Sequence, residues 1–123
     1  MASAALLAGC LGGGGARDPA QAAIAATIQR LERATAQGDF AAVCGDLLTP
    51  SARRRAGGPD CARLTGTAAA GVKRPRIEVK QVNRDGDVAR VTIVTRATGQ
   101  PDLDERLVLR RVNGRWRIDS LGD

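Results

Sequence analysis

The two-residue stretch Asn113-Gly114 constrains the fold of this chain more than any other feature of its sequence. Both residue types tolerate the positive φ that a type I′ hairpin turn requires, and alternating apolar and polar residues flank the pair. This pattern predicts two antiparallel strands within residues 107–121, in a register set by the turn. The expected cross-strand pairs, moving away from the turn, are Arg111 with Trp116, Leu109 with Ile118, and Leu107 with Ser120.

The register divides the residues of this hairpin between two faces. The apolar face consists of Leu107, Leu109, Trp116 and Ile118. The opposite face consists of Arg106, Val108, Arg110, Arg115, Arg117 and Asp119. We expect the apolar face to be buried. The four arginines of the other face, called the basic surface below, should lie in solvent: Arg106, Arg110, Arg115 and Arg117.

Residues 77–94 show a similar alternation around Asp85-Gly86 and predict a preceding hairpin. The expected pairs in that register are Ile77 with Val94 and Val79 with Thr92. The other face then carries Val82, Ala89, Val91 and Ile93, together with Glu78 and Lys80. Because both faces are partly apolar, either these strands are covered on both sides or a bulge near Gln81-Val82 changes the alternation. The two hairpins predict a four-stranded antiparallel sheet from Arg76 to Leu121, with a longer loop at residues 98–102.

The residues before the sheet begin with a strong helix signal. Asp18-Pro19 is an N-cap followed by proline at the first helical position, and Gly38 is a C-terminal stop. The apolar stripe of this helix consists of Ile24, Ile28, Leu31 and Thr35. Its other face carries Gln29, Arg30, Glu32 and Arg33, and we expect that face to be only solvated.

Three shorter helices are predicted after the first. One follows Gly38-Asp39 and has its apolar positions at Phe40, Val43, Cys44, Leu47 and Leu48. The next runs from Ser51 to Ala56 after the cap signal Thr49-Pro50, and its Arg53-Arg54-Arg55 run is expected to be a solvated helix end. The last runs from Pro59 to Ala70, with Cys61, Leu64 and Ala68 on one face.

The N-terminal residues are typical of a targeting signal. Leu7-Ala8-Gly9-Cys10 is similar to a bacterial lipobox, in which the cysteine becomes the lipid-modified N-terminus of the mature protein. The glycine-rich stretch after it has the composition of a flexible tether. We therefore expect residues 1–18 to be a signal remnant and tether, and residues 19–123 to be one folded domain. The alternative is an alanine- and glycine-rich tail in which Cys10 is incidental.

The three cysteines fit the same interpretation. If Cys10 carries a lipid, Cys44 and Cys61 remain as a pair, and an exported chain meets conditions in which disulfides form. A bridge closing a loop of this length would contribute roughly 3 kcal/mol. The alternative is a pair of buried free thiols in a cytosolic protein.

Composition excludes several classes of function. The chain has no histidine, which rules out Ser-His-Asp and Cys-His sites and histidine-ligated metal centres. Its formal net charge is +6, and all but two of its 19 basic residues are arginines, the exceptions being Lys73 and Lys80. Nucleic-acid binding usually adds stacking aromatic residues, and only one tryptophan and one phenylalanine are present. We expect no nucleic acid partner, no metal and no cofactor.

Two segments of the sequence resemble the secreted or lipoprotein branch of the nuclear transport factor 2-like (SnoaL-like) superfamily. They are residues 38–48, which follow the long first helix, and residues 114–121, which contain Trp116. The resemblance implies an α+β fold in which three or four N-terminal helices pack on a curved four-stranded antiparallel sheet, forming a cone that can leave a pocket. This superfamily hosts enzymes, binding modules and scaffolds, so the resemblance does not name a function.

Enzymes of the superfamily are similar to one another in placing an acidic residue inside the cone, often with tyrosine or histidine. This chain has neither. A water-activating arrangement of carboxylates and arginine remains compatible with the composition, and its candidates are Asp119, Glu78 and Arg111. The hairpin register, however, places Asp119 on the outer face with Arg110 and Arg117, where a surface ion pair is the simpler expectation. We therefore expect a protein without catalytic activity.

Arg111 is the one charged residue on the buried face of the second hairpin. It either stacks on Trp116 at the rim of the sheet or binds an anionic ligand at the mouth of a pocket. Trp116 itself is more typical of a core residue than of a ligand platform.

Three functions are consistent with these features. The first is a lipid-anchored protein on the outer face of the bacterial cytoplasmic membrane, whose cone binds a small molecule, a peptide or a partner protein. The second is a hydrolase, isomerase or dehydratase with a carboxylate in a cavity above about 300 Å³. The third is a basic module that binds anionic lipid or wall polymer through the basic surface. A homodimer formed through the sheet is an additional partner to test.

Overall fold

The structure is a computed structural model and describes residues 18–122. Cys10 and the rest of the expected tether before Asp18 lie outside these residues. The helices are α1 (Pro19–Gln37), α2 (Phe40–Ala42, continued by a π-helical turn, Val43–Leu47), α3 (Pro50–Arg55) and α4 (Cys61–Ala68, preceded by a 3₁₀ turn, Gly58–Asp60). The strands are β1 (Arg76–Asp85), β2 (Val88–Arg96), β3 (Leu103–Val112) and β4 (Arg115–Gly122). The strands form one antiparallel sheet in the order β1-β2-β3-β4. This confirms the predicted α+β architecture.

Helix α1 has the predicted ends. The Asp18 carboxylate accepts a hydrogen bond from the backbone N–H of Ala20 at 3.0 Å, and Gly38 adopts the left-handed conformation, with φ +72°, that ends the helix. The expectation for its polar face is wrong at Glu32. The Glu32 carboxylate accepts a 2.7 Å hydrogen bond from the backbone N–H of Ile77, which ties the C-terminal half of α1 to the start of β1.

The cap signals predicted for α2 and α3 are confirmed, whereas α4 begins at Cys61, two residues after the predicted start at Pro59. Asp39 caps α2 and Thr49 caps α3, each accepting a hydrogen bond from a backbone N–H three residues later. The face predicted for α4 is partly wrong. Cys61 is buried, but Leu64 is 44% exposed and Ala68 is exposed as well. Gly66 lies against the ring of Phe40.

The second hairpin has the predicted turn, with φ +52° at Asn113 and +79° at Gly114. Arg111 pairs with Trp116 and Leu109 with Ile118, as expected. The third pair is wrong. Leu107 pairs with Leu121 and Val108 with Ser120, because Asp119 is an extra residue that forms a bulge in β4.

The first hairpin has a different turn from the predicted one. Its turn residues are Gly86 and Asp87, since Asp85 pairs with Val88, and Gly86 has φ +63°. A glycine at the first central position is typical of a type II′ turn. The predicted pairs are therefore wrong: Ile77 pairs with Thr95 and Val79 with Ile93.

The sequence left two explanations for the apolar residues on both faces of β1, which were cover on both sides or a bulge. The structure confirms the bulge. It lies at Lys80, between Val79 and Gln81, next to the predicted place. Because it shifts the alternation by one residue, Ile77, Val79 and Val82 all pack against the core. They join the buried β2 residues Ala89, Val91 and Ile93 on the same face.

The core lies between α1 and this concave face of the curved sheet. Its fully buried side chains include Ile24 and Ile28 from α1, Leu47 from α2 and Leu109 from β3. The edge of β4 is covered by the chain between α2 and α3, because Leu48 forms a parallel bridge with Ile118 and the Thr49 N–H donates to the Ile118 carbonyl at 2.9 Å. This cover protects an edge that would otherwise be open to other strands.

Candidate functional site

One end of the concave face is filled by protein, and we call it the closed end. There Trp116 is buried against the N-terminal half of α1, and the hydroxyl of Thr27 donates a 3.0 Å hydrogen bond to the Trp116 carbonyl. Asp18 at the start of α1 forms a 3.1 Å ion pair with Arg84 near the tip of the first hairpin. On its β1 side, a groove of about 570 Å³ lies between the N-terminal half of α1 and residues 79–82 of β1.

The other end of the concave face is open. The last described pair of β4 joins Gly122 to Arg106, so residues 103–105 of β3 extend beyond β4 within the described part of the chain. Leu103 lies on the same face as Leu107, and its side chain is 54% exposed. We call this region, where α1 ends above β1, β2 and the start of β3, the open end.

A cleft of about 260 Å³ lies at the open end, and we call it the apolar cleft. It is lined by Leu31, Thr35, Val72, Pro75, Arg76, Ile77, Thr95, Arg96, Ala97, Gln100, Pro101 and Leu103. Two hydrogen bonds tie its walls together. The Glu32 carboxylate accepts from the Ile77 N–H, and the Thr98 N–H donates to the Lys73 carbonyl at 2.9 Å. Seven of the twelve lining residues are apolar, Arg76 and Arg96 also line the cleft, and no carboxylate is among its lining residues.

A second cleft, of about 480 Å³, lies on the other side of Leu31. We call it the helix cleft, because α1, α3 and β4 form its walls. Its lining residues are Leu31, Leu48, Ala52, Arg55, Ala56, Leu107, Ile118, Asp119 and Ser120. Leu31 is the side chain that the two clefts share, so it divides the space under the C-terminal half of α1. Unlike the apolar cleft, this one contains a carboxylate.

The carboxylate of Asp119 is held by two neighbours. It accepts a 2.7 Å hydrogen bond from the Thr49 hydroxyl and a 3.1 Å hydrogen bond from Nε of Arg110, and its side chain is 18% exposed. Burial raises the pKa of Asp119, but the hydrogen bonds from Thr49 and Arg110 outweigh it, and the net result is a pKa below the ordinary value. The ion pair with Arg110 confirms the sequence expectation. The bulge at this residue turns the carboxylate toward Thr49.

Glu78 lies on the outer face of β1, away from both clefts. Its carboxylate accepts a 2.7 Å hydrogen bond from Arg96 and lies 3.6 Å from the Lys80 ammonium. The hydrogen bond from Arg96 is the main cause of a pKa below the ordinary value for Glu78, with the charge of Lys80 next. Arg96 also binds Asp102 at 3.1 Å, so this is a surface network of charges at the rim of the open end.

Arg111 and Trp116 lie at the closed end and contact each other. The guanidinium of Arg111 stands 5.7 Å from the centre of the indole ring, and it also forms a 2.6 Å ion pair with Asp87. Stacking at the rim, the first of the two alternatives for Arg111, is therefore what the structure contains. Neither residue lines the clefts described above, and the buried indole is part of the core.

The three residues considered for catalysis therefore have separate sets of contacts. Asp119 binds Thr49 and Arg110, Glu78 binds Arg96 and Lys80, and Arg111 binds Asp87. None of the three contacts another. Among residues 18–122 no group of three acidic or cysteine side chains could hold a metal ion, and no helix within that range is long and apolar enough to cross a membrane.

The sequence analysis missed the residues that line the open end. Alternation along β3 places Leu103 and Glu105 on the same face as Leu107, and this signal was available because the third strand was predicted. Glu105 is half-buried opposite Ile93, and its side chain makes no hydrogen bond or ion pair with any described residue. The sequence pattern predicted Leu31 as an apolar stripe residue of α1. It did not predict that Leu31 lies between two clefts.

The arginines of the basic surface differ from one another. Arg115 is exposed, and Arg110 is exposed and paired with Asp119. The expectation of free solvation is wrong for Arg117, whose Nη1 donates to the carbonyls of Gly45 at 3.2 Å and Leu48 at 3.4 Å. Arg106 is exposed and also has an interaction partner.

Cys44 and Cys61 form a disulfide, which confirms the pairing predicted from the sequence. It joins the π-helical turn after α2 to the start of α4, and Cα atoms of the two residues are 6.1 Å apart. The bridge therefore fixes α3 and the glycine-rich connection that lie between them.

Several solved structures have the same fold. An NTF-2 like protein of unknown function from Silicibacter pomeroyi is 19% identical, with a TM-score of 0.63 over 85% of this chain and 97% of its own. A SEC-C motif containing protein from Rhodopseudomonas palustris is 18% identical, with a TM-score of 0.62 over 79% of this chain and 75% of its own. A designed NTF2 variant is 18% identical, with a TM-score of 0.67 over 85% of this chain and all of its own.

No protein-family model and no curated protein matches the sequence. The structural likeness is nevertheless clear across the helices and the sheet, and the chain has the nuclear transport factor 2-like fold. At these levels of sequence identity the likeness defines the fold and leaves the function to the site itself.

Proposed function

We propose that this nuclear transport factor 2-like domain is a non-enzymatic binding protein that holds an apolar ligand at its open end. The ligand is a small hydrophobic molecule or an apolar segment of a peptide or partner protein. The lipobox-like segment around Cys10 would anchor the protein to the outer face of the bacterial cytoplasmic membrane.

One observation carries the proposal: the apolar cleft has lining residues without a carboxylate and an exposed leucine at its mouth. Leu103 is 54% exposed, and burying its side chain under a ligand would be favourable by the hydrophobic effect. The backbone contacts of Ile77 and Thr98 hold the walls in place before a ligand arrives. Preorganised walls reduce the entropic cost of binding.

The site carboxylates support binding over catalysis. A general acid needs a pKa raised toward neutrality, and the pKa of Asp119, the carboxylate of the helix cleft, is below its ordinary value. The oxygens of Asp119 are also occupied by Thr49 and Arg110. A substrate would have to displace these neighbours before the carboxylate could act.

The orientation of α1 supports an anchored protein that presents its ligand site outward. The tether would join the domain at Asp18, which lies at the closed end beside Arg84. Helix α1 has 19 residues and is therefore about 28 Å long, so its far end carries the clefts away from the point of attachment. The residues between Cys10 and Asp18 would span at most about 25 Å when fully extended.

The binding proposal is tested with N-phenyl-1-naphthylamine, an uncharged probe that fluoresces in apolar surroundings. We expect saturable binding to the full chain. Leu103→Glu should weaken it at least tenfold, because a carboxylate at the mouth must be desolvated. Leu64→Glu is the matched control, since Leu64 is the other exposed large apolar residue of the described chain and lies on α4. Equal probe affinity for the two variants would refute the proposed site.

The anchor is tested separately by cell fractionation. Cys10→Ser should move the protein from the membrane fraction to the soluble fraction, because the acylated cysteine would be the attachment point. Unchanged fractionation would refute the lipid anchor, and it would leave the binding proposal intact.

An enzyme is the second candidate, because the helix cleft exceeds 300 Å³ and contains Asp119. Glu105 adds a carboxylate without a partner among the described residues on the same concave face. Hydrolysis of p-nitrophenyl butyrate is the simplest test of a hydrolase. We expect a rate equal to that in buffer. A faster rate that is lost in Asp119→Asn, but kept in the outer-face control Asp104→Asn, would favour the enzyme instead.

A further inference from the structure

A third cleft lies beside the disulfide, and we call it the arginine cleft. Its volume is about 410 Å³. It is lined by Cys44, Gly45, Leu48, Pro50, Arg53, Arg54, Gly58, Pro59 and Arg117. It shares only Leu48 with the helix cleft and no residue with the apolar cleft. Three arginine residues therefore line one space, and no carboxylate is among its lining residues.

The three arginines of this cleft differ from those arginines of the described chain that have carboxylate partners. Six other arginines in the described part of the chain are paired with carboxylates: Arg30, Arg63, Arg84, Arg96, Arg110 and Arg111. Arg53, Arg54 and Arg117 form no ion pair with any residue between 18 and 122. Like charges in one cleft repel one another, and a bound anion would remove that repulsion.

The guanidinium of Arg117 is held in place at the inner wall of the arginine cleft. Its Nη1 donates to two carbonyls, those of Gly45 and Leu48, and the side chain is half-buried. Its Nε is buried and has no acceptor among the described residues. A buried donor without a partner is costly, and such groups in folded proteins commonly bind a water or an ion.

The opposite wall is fixed by the disulfide. Arg53 and Arg54 lie on α3, which begins at the capping residue Thr49 and lies between the bridged Cys44 and Cys61. Gly58 and Pro59 belong to the same bridged segment. The bridge therefore limits how far the Arg53-Arg54 wall can move from Arg117, and it keeps the three arginine residues around one cleft.

We propose that the arginine cleft binds a phosphate group. Guanidinium groups form paired, charge-assisted hydrogen bonds with phosphate oxygens, and three of them around one cleft suit a dianion. The volume leaves room for a substituent on the phosphate. The group could belong to a free phosphate compound or to the head group of an anionic lipid, and the two sources share this chemistry. The site is independent of the proposed apolar ligand.

The test uses the full chain carrying Cys10→Ser, which removes the acylation site. Isothermal titration with inorganic phosphate, in a buffer of constant ionic strength, should give one site per chain. Arg53→Gln/Arg54→Gln should weaken binding at least tenfold. The control Arg33→Gln/Arg90→Gln removes the same charge from two exposed arginines elsewhere and should change the affinity less than twofold.

A second arm separates the two sources of phosphate. Flotation with vesicles of phosphatidylcholine containing phosphatidic acid is compared with flotation with phosphatidylcholine alone. Binding to inorganic phosphate assigns a soluble ligand, and binding only to the phosphatidic acid vesicles, with the same sensitivity to the variants, assigns a lipid head group. The proposal is overturned if neither probe binds, or if the control variant loses as much affinity as the Arg53/Arg54 variant. The midpoint of thermal unfolding verifies that both variants are folded.

Discussion

Both ends of the concave face carry leucine on β3, but the leucine is buried at the closed end and exposed at the open end. At the closed end Leu109 and Ile118 are covered by α1, whereas at the open end Leu103, on the same face of the same strand as Leu109, is 54% exposed. Hydrophobicity alone does not distinguish these leucines. What differs is the cover: β4 ends opposite Arg106, and α1 ends above the start of β3.

The comparison separates stability from binding in this molecule. The apolar residues of the closed end, such as Leu109 and Trp116, have already lost their contact with water, so changing them should alter the free energy of unfolding. Residues of the open end still have apolar surface to bury, so changing them should alter ligand affinity. This division gives each end its own measurement.

The largest effect is expected from the same substitution at the two ends of β3. Leu109→Ala should lower the free energy of unfolding by about 2–5 kcal/mol, since it leaves a cavity in the core. Leu103→Ala should lower it by less than about 0.5 kcal/mol, because the side chain is already half in water. Urea denaturation measures both. Similar losses for the two variants would mean that the ends do not differ as described.

Removal of the disulfide should have the next largest effect. Cys44→Ala/Cys61→Ala should lower the free energy of unfolding by about 3 kcal/mol, because the unfolded chain regains the freedom of the bridged loop. Probe binding at the open end should be unchanged at temperatures where the variant is folded, since Cys44 and Cys61 line neither the apolar cleft nor the helix cleft. A parallel loss of probe affinity would mean that the disulfide also shapes the apolar cleft at the open end.

The charge of Asp119 should contribute a smaller, pH-dependent amount. Because its pKa is lower in the folded protein than in the unfolded chain, its stabilisation is present at neutral pH. It is lost as the pH falls below about 4 and passes the folded pKa. Asp119→Asn should cost about 1.5 kcal/mol at pH 7.

Acid titration of the free energy of unfolding measures the contribution of Asp119. The curve of Asp119→Asn should be flatter than that of the wild type below pH 4, although Asp18 and Glu78 titrate in the same direction and keep part of the slope. The hydrogen bond from the Ala20 N–H is the main cause of the low pKa of Asp18. Identical slopes for the two proteins would contradict the role assigned to Asp119.

The smallest effect is expected at the rim of the closed end. Arg111→Gln removes the stacking on Trp116 and the exposed ion pair with Asp87, and should cost about 0.5–1 kcal/mol. Arg115→Gln, on the neighbouring strand, is the control and should be neutral. If Arg115→Gln lost as much stability as Arg111→Gln, the loss would come from removing a positive charge and not from the stacking on Trp116.

Much of the fold was predictable from local signals. Asp18, Gly38 and Thr49 mark helix ends because each satisfies backbone groups that the helix leaves unpaired. Asn113-Gly114 fixed one turn in the same local way. The disulfide was predictable from the cysteine count together with the expected export of the chain.

The errors arose where one residue changes a register. Gly86 is the first turn residue of the first hairpin and not the second, and Lys80 and Asp119 are bulges that no local pattern located with certainty. The bulge at Asp119 is stabilised by Thr49, whose hydroxyl donates to the Asp119 carboxylate. Such contacts join residues distant in sequence, so local propensity carries little information about them.

The sequence alone determined which segments form helices and strands, and which faces of them are apolar, because caps, turns and alternation act over a few residues. Only the tertiary structure decided which apolar residues stay uncovered. Leu103 and Leu109 are equivalent by pattern, and so are Arg53 and Arg33 by charge. Their different surroundings follow from the relative lengths of α1, β3 and β4 and from the segment fixed by the disulfide, which exist only once the chain has packed.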